Sequence, residues 1–302
     1  MRPYLRMPFR SLSVDNFISR GAAGHVFHII SNIVLKCPTK FGNAFPEQME
    51  EKEESEKRIE AEKAVYRVVM EHSHPNIVLC ILCAPEGIFL RRMESTLQER
   101  LSQSQTAPTP ARTQERWVLQ PTSAVAWLER LGLVHGDLRP ANILLDANDN
   151  IQLCDFDAAV KSGAELMAAS EPFCKMDGNL ETPPAGPVSE QFSLASCIYS
   201  IRFGHWPWHE LDPHARGEKL IRNEIPSVLA DAFFGDVTTR CWHGEYASIT
   251  SIEQDVLSRL GRSVAQEEAL RRAALEELAP EYSLLRAECE EFVTKKAWGR
   301  SC

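Results

Sequence analysis

Asp137, Asn142 and Asp155 are the residues of this sequence best placed to do chemistry together. Between the last two lie the apolar pieces ILL and IQLC, joined by the turn-forming DANDN, which predicts a compact hairpin from Ile143 to Cys154. A hairpin returns the chain to where it began. Asn142, just before it, and Asp155, just after it, therefore share one open end, with Asp137 a few residues upstream in the same loop. Three oxygen-bearing side chains at one place suit a hard cation such as Mg²⁺, held by a few protein oxygens and by substrate phosphates. Each residue alone would read as an ordinary turn former; the joint spacing is what points to chemistry.

The elements that must position these residues fall into two halves. In the first, DNFIS, HVFHII and NIVLKC read as short strands separated by Gly or Ser-Asn turns, and IVLCILC and GIFLRRM resume that character further on. Between them, from about Pro46 to Glu71, runs a highly charged helix with Ile59, Tyr66 and Val69 on one apolar stripe. SQSQTAPTPAR reads as a surface loop, and TSAVAWLERLG then restores helical spacing with Pro121 near its start. The remainder is helical and loop-linked. From Ser263 the chain is rich in Ala, Glu, Arg and Leu and predicts one or two helices able to dock on the body.

With 302 residues, 44% of them hydrophobic, the chain can bury a sizeable core. A formal charge of −9 without a long Lys/Arg run argues against nucleic acid as a partner, though a local basic patch is compatible with it. No stretch has the roughly 20 apolar residues of a membrane span, and MRPYLRMPFRSLS lacks an apolar signal segment, so the expected location is intracellular, cytoplasmic or nuclear. Nine cysteines in such a chain read as free thiols. The one close pair, Cys80 and Cys83, sits in an apolar run and reads as buried strand rather than half a zinc site.

His135-Gly136-Asp137-Leu138-Arg139-Pro140-Ala141-Asn142 and Asp155-Phe156-Asp157 resemble the H-R-D-L-x-x-x-N and D-F-G motifs of eukaryotic-type protein kinases. Upstream, Ser19-Arg20-Gly21-Ala22-Ala23-Gly24-His25-Val26 is similar to their glycine-rich loop, and Ile33-Val34-Leu35-Lys36 to the strand carrying the phosphate-binding lysine. At 100° per residue, Glu62 falls within the stripe of Ile59, Tyr66 and Val69. A glutamate facing the core needs a cation, and Lys36 is the obvious one. Glu190-Gln191-Phe192-Ser193-Leu194-Ala195-Ser196 resembles the family's D-x-W-S-x-G helix, Gly204-His205-Trp206-Pro207-Trp208 its G-x-x-P-aromatic segment, and Cys241-Trp242 its late C-W pair. The whole looks most like divergent fungal serine/threonine kinase-like proteins.

The resemblance implies an α+β fold with a small antiparallel-sheet lobe carrying one helix, over residues 12–92, and a larger helical lobe over residues 95–262. The hinge would lie at Arg92-Met93-Glu94, the kinase domain would end near residue 262, and residues 263–302 would form a helical tail. It implies ATP and Mg²⁺ in the cleft: Asp137 as the base that orients the acceptor hydroxyl, Asn142 and Asp155 as Mg²⁺ ligands, Arg139 as the cation on the transferring phosphate, and Lys36, held by Glu62, on the other phosphates. Ser19, Gly21, Ala22, Ala23, Gly24, Val26, Val34, Arg92, Met93 and Leu144 would complete the nucleotide site. The implied partner is a protein with a Ser/Thr acceptor, because Arg139 stands where serine/threonine kinases usually carry Lys.

Several positions depart from the pattern. Ser19 replaces the first glycine of the loop, Gly136 the arginine that would meet an activation-loop phosphate, and Asp157 the glycine of D-F-G. Glu190 stands in for aspartate, and SEPFCKM and ETPPAGP are the only candidates for an A-P-E. Two alternatives follow: an ATP-binding scaffold without transfer, or, from the H-G-D triplet, a small-molecule phosphotransferase.

Overall fold

The computed structural model describes residues 3–30, 32–103 and 109–297. They divide between two compact units, one of residues 3–73, 78–93 and 272–297, the other of residues 74–77 and 94–271.

In the first unit, alternating β-branched and aromatic residues do form strands. β1 (Tyr4–Leu5), β2 (Phe17–Arg20), β3 (His25–Ile30), β4 (Ile33–Cys37) and β5 (Phe41–Gly42) are followed by helix α1 (Pro46–Glu71), then β6 (Cys80–Ala84) and β7 (Gly87–Arg91). Five of the strands make one antiparallel sheet in the order β2-β3-β4-β7-β6, and β1 pairs with β5 apart from it. Ser31, in the expected Ser-Asn turn, lies outside the described residues. Pro46 opens α1, where its missing N–H costs nothing, and the Phe45 amide donates to Gln48 Oε1 at 3.0 Å. Ile59, Glu62, Tyr66 and Val69 are all buried on one face, as the periodicity predicts.

The second unit is mainly helical. It holds β8 (Ser95–Thr96), α2 (Leu97–Gln103), α3 (Ala111–Arg130), β9 (Leu133–Val134), β10 (Ile143–Leu145), β11 (Ile151–Leu153), β12 (Val160–Lys161), α4 (Pro187–Phe203), α5 (Pro213–Ile221), α6 (Gly235–His243) and α7 (Ile249–Arg259). Helix α3 corrects the expectation of a start near Pro121. It begins ten residues earlier and carries Pro121 in its interior, because Trp117, Val118 and Leu119 are buried and their packing outweighs the lost N–H. Residues 104–108 of the expected loop lie outside the described residues; Ser102 and Gln103 belong to α2, Ala111 and Arg112 to α3. Helix α4 is buried almost all round, the mark of a core helix.

A single helix, α8 (Val264–Ala297), occupies the tail. From residue 272 onward it groups with the first unit, where Leu285 and Cys289 join Phe9, Ile33, Leu35, Cys37, Ile81 and Phe89 in one hydrophobic cluster. Phe292 meets Phe9 edge-on at 5.1 Å between ring centroids, and Arg91 Nε pairs with Glu281 Oε1 at 2.9 Å. No helix among the described residues is long and apolar enough to cross a membrane. The described cysteines are free thiols, and no group of three or more His, Cys, Asp and Glu side chains that could by itself hold a metal occurs among the described residues.

His74, in the second unit, lends stability a pH dependence. Its Nε2 lies 3.1 Å from Ser123 Oγ, and its Nδ1 accepts the Asn76 amide at 3.2 Å, an arrangement that uses the neutral ring. Burial, then the Arg271 and Arg130 charges, push its pKa from 6.5 down to about 3. As pH falls below 6.5, the unfolded chain takes up a proton that the folded chain refuses, so stability falls across the window down to about 3. The loss should approach about 1.4 kcal/mol per pH unit within that window. Urea midpoints at pH 7 and 5 should show the His74→Asn variant losing less stability than wild type; equal losses would assign the slope to other groups.

Candidate active site

In the second unit the residues before and after the hairpin come together as the sequence predicts. β10 and β11 pair antiparallel with Ile143 opposite Leu153 and Leu145 opposite Ile151. Turn chemistry closes them: Asp146 Oδ1 accepts the amides of Asn148 and Asn150, both at 2.8 Å, while Asp149 takes positive φ. Trp117 Nε1 donates to the Asp149 carbonyl at 2.8 Å and ties the turn to α3. At the open end the Cys154 amide donates to the Asn142 carbonyl at 3.0 Å, so the backbone leading into Asp155 is joined to Asn142.

Asn142 is buried and clasps Asp137. Its Nδ2 donates to the Asp137 carbonyl at 2.8 Å and to Asp137 Oδ2 at 3.0 Å, which leaves its Oδ1, the atom a metal would take, outside those bonds. Arg139 Nε also reaches Asp137 Oδ2, at 3.1 Å. Asp137 Oδ1, by contrast, is buried and has no hydrogen-bond partner among the described residues. An orphaned carboxylate oxygen next to oriented oxygen donors is the composition expected of a site for a hard cation and a hydroxyl donor, so the residues present fit Mg²⁺.

Backbone geometry explains two of the departures. Gly136 has φ of +77°, and a Cβ there would lie 2.5 Å from the Ala158 carbonyl oxygen, so the position excludes a side chain on steric grounds. In the D-F-D stretch the left-handed residue is Asp155, with φ of 65°. Asp157 lies instead in the short 3₁₀ turn Phe156–Ala158 and is not among the positive-φ residues, so the conformational freedom of glycine is not used there. Phe156 is buried with its ring 5.2 Å from that of His135, whose Nε2 lies 3.0 Å from the Cys154 carbonyl oxygen.

Glu190 does what its position in the motif suggests. Its Oε2 accepts the His135 amide at 3.0 Å and its Oε1 the Gly136 amide at 3.1 Å, anchoring the loop that carries Asp137 to the start of α4. Burial pushes its carboxyl pKa up, opposed by His135 and the two amides. The segment around SEPFCKM is anchored as well. Arg216 Nε donates to Glu171 Oε1 at 2.8 Å, Ser193 Oγ to the Phe173 carbonyl at 2.6 Å, and Ser196 Oγ to the Pro172 carbonyl at 3.2 Å. Arg216 had no signal in the sequence, since it lies far along the chain from Glu171 with no motif around it.

In the first unit, Lys36 Nζ and Glu62 Oε2 are 2.6 Å apart, with side chains 9% and 0% exposed. The loop between β2 and β3 is closed by the Gly21 amide on the Gly24 carbonyl at 2.8 Å, and Ser19 sits opposite Val26 in the strand register. Gly24 is sterically required, because a Cβ there would lie 2.1 Å from the Cys37 carbonyl oxygen. Ser19, Gly21 and Ala22 are exposed, whereas Ala23 is buried and its carbonyl accepts Ser55 Oγ at 2.6 Å. Ser55 Oγ in turn accepts the Thr39 amide at 2.7 Å. This link from α1 to the loop was invisible in the sequence, where Ser55 is one polar residue in a charged run. Val26 lies opposite Lys36, and Val34 is buried beside it on β4. Arg92 is exposed, with its amide on the Asn32 carbonyl at 2.8 Å, and Met93 is half-buried. Leu144 lies in the second unit on β10, opposite Gln152 and Thr96. The candidate residues thus form two constellations, one in each unit.

The family model of the protein kinase domain matches residues 13–278. The chain belongs to the protein kinase family. It is 27% identical over 183 residues to human dual specificity mitogen-activated protein kinase kinase 7, a match covering 56% of this chain and 44% of the relative. It is 33% identical over 129 residues to mouse hormonally up-regulated neu tumor-associated kinase, covering 38% of this chain and 18% of that protein. Fission-yeast cell division control protein 7 is 25% identical over 114 residues, 37% of this chain and 11% of the relative. The match therefore spans less than half the length of each of these relatives. The α+β fold expected of a kinase, a small antiparallel-sheet lobe and a larger helical lobe, is the fold observed, with the later part of α8 added to α1 in the first unit.

Proposed function

We propose that this kinase transfers the γ-phosphoryl group of ATP to Ser or Thr hydroxyls of protein substrates. The observation that carries the reading is the clasp of Asp137 by Asn142, with Asp137 Oδ1 buried and unbonded among the described residues. A carboxylate oxygen held in this way can orient an acceptor hydroxyl and receive its proton. Asn142 Oδ1 and the Asp155 carboxylate are the ligands that would hold Mg²⁺, which when bound neutralises charge on phosphate oxygens. Arg139, beside Asp137 and partly exposed, supplies a cation for the transferring phosphate. Lys36, fixed by Glu62, grips the remaining phosphates under the loop from Ser19 to Gly24, and Val26, Val34, Arg92, Met93 and Leu144 line the nucleotide's place. Catalysis on this reading is positioning and electrostatic stabilisation.

The arginine at 139 supports Ser/Thr over Tyr acceptors, whereas the relative named a dual specificity kinase leaves tyrosine to be tested. Of the departures behind the scaffold alternative, Asp157 occupies an ordinary turn and Glu190 holds the His135 and Gly136 amides in the aspartate's place, which leaves Ser19 as the departure in its favour. The test is transfer from γ-labelled ATP and Mg²⁺ to a generic protein substrate, followed by hydrolysis to phosphoamino acids. Label on Ser and Thr alone is expected. Label on Tyr would overturn the acceptor class, and ATP binding without transfer, including to the kinase itself, would overturn the enzyme.

A further inference from the structure

Cys80 and Cys83 are three residues apart on β6, and in a regular strand an odd separation places side chains on opposite faces. Here they meet. The sulfurs are 3.8 Å apart in a hydrogen bond, because the register slips between Cys80 and Leu82: Cys80 lies opposite Leu90 and Cys83 opposite Ile88. Three residues of β6 therefore span the same distance as two residues of β7, about 6.6 Å at the usual rise per residue. That is within the Cα separation of a disulfide, toward its upper limit.

From this bulge and the facing thiols we infer that Cys80 and Cys83 form a reversible peroxide-sensing dithiol, Cys83 being the thiol attacked first and Cys80 the resolving one. The roles follow from exposure, since Cys83 is half-buried while Cys80 is buried. The surroundings agree. The Cys80 hydrogen bond first, then Arg67 and Lys63 of α1, draw the Cys83 thiol down to about 7, against burial and Glu60. The bond to Cys83 and burial push Cys80 well up, so it remains a thiol that donates to the Cys83 thiolate.

In the first step the Cys83 thiolate attacks a peroxide oxygen. An S–O bond forms, the O–O bond breaks, and the released hydroxide takes a proton and leaves as water. In the second, Cys80 Sγ displaces the sulfenic hydroxyl: the S–S bond forms, the S–O bond breaks, and the Cys80 proton leaves with hydroxide as a second water. Hydrogen peroxide is the oxidant and is reduced; two thiols are oxidised to one disulfide. A thiol reductant reverses it.

The test treats the whole chain with a slight excess of hydrogen peroxide, alkylates the remaining thiols and maps the peptide from Val68 to Arg91, which contains both cysteines. The expected product lacks two hydrogen atoms and carries no alkyl group, regains both alkylation sites after dithiothreitol, and forms about tenfold or more faster than oxidation of the buried cysteines. In Cys80→Ala, Cys83 should stop as a sulfenic acid trapped by dimedone; in Cys83→Ser, Cys80 should stay alkylatable. Wild type in which both thiols remain alkylatable, or in which Cys83 proceeds to sulfinic acid without closing on Cys80, would overturn the proposal. The wild-type peptide alone decides the matter if a variant fails to fold.

Discussion

Asp137→Asn should lower the rate of phosphate transfer by about 10²–10⁴-fold, the usual contribution of a positioned base, while leaving the fold and ATP binding close to wild type. Asparagine keeps the size of the side chain and an oxygen that can accept the Asn142 Nδ2 and Arg139 Nε bonds now made to Oδ2. It places an amide group where Asp137 Oδ1 stands buried and unbonded, and removes the negative charge that orients a hydroxyl. Loss should fall on kcat rather than on the KM for ATP, because Asp137 acts on the acceptor side of the reaction. Single-turnover transfer from labelled ATP, with nucleotide affinity measured separately, separates the two. Equal transfer by wild type and variant would remove Asp137 from the chemistry, and a variant that no longer binds ATP would make its role structural.

The tail should matter as much for stability as Asp137 does for rate. Leu285→Ala should destabilise the first unit by about 2–5 kcal/mol, the range for truncating a large buried aliphatic side chain. Leu285 is 5% exposed within a cluster that includes Leu35 and Cys37, the two neighbours of Lys36 on β4. Phe292 closes an aromatic set with Phe9 and Phe89, at 5.1 and 6.4 Å between centroids. Ending the chain at Arg271 would expose all of these surfaces, together with Ile81, whose carbonyl accepts Arg286 Nη1 at 3.3 Å. The shortened chain should therefore aggregate or unfold at much lower urea than the full one, and lose ATP binding with it. A soluble chain of residues 1–271 with an unchanged urea midpoint would show the helix to be dispensable.

Much of the candidate site was legible because its residues are close in sequence. A hairpin with turn-forming residues must return on itself, so the sharing of one end by Asn142 and Asp155 followed from local chemistry alone. The pairing of Glu62 with Lys36 was legible for a different reason: helical periodicity put a carboxylate on a buried stripe, and a buried charge needs a partner. The start of α3 is not legible in the sequence, because local preference makes Pro121 a helix opener, whereas the burial of Trp117 and its neighbours, a tertiary effect, decides otherwise.

By itself, then, the sequence determined the strand and helix periodicities, the motif spacing and, through them, the kinase fold and the set of candidate residues. The tertiary structure decided what depends on contacts between segments remote in the chain. It placed Ser55 under the glycine loop, Arg216 on Glu171, and Leu285 in the core beside Lys36's strand. It also showed that Gly136 faces a carbonyl that leaves no room for a side chain, and that a one-residue bulge turns Cys80 toward Cys83. None of these leaves a periodic trace, because a contact across dozens of residues constrains only the two positions that meet, and a bulge is set by the partner strand as well as by its own.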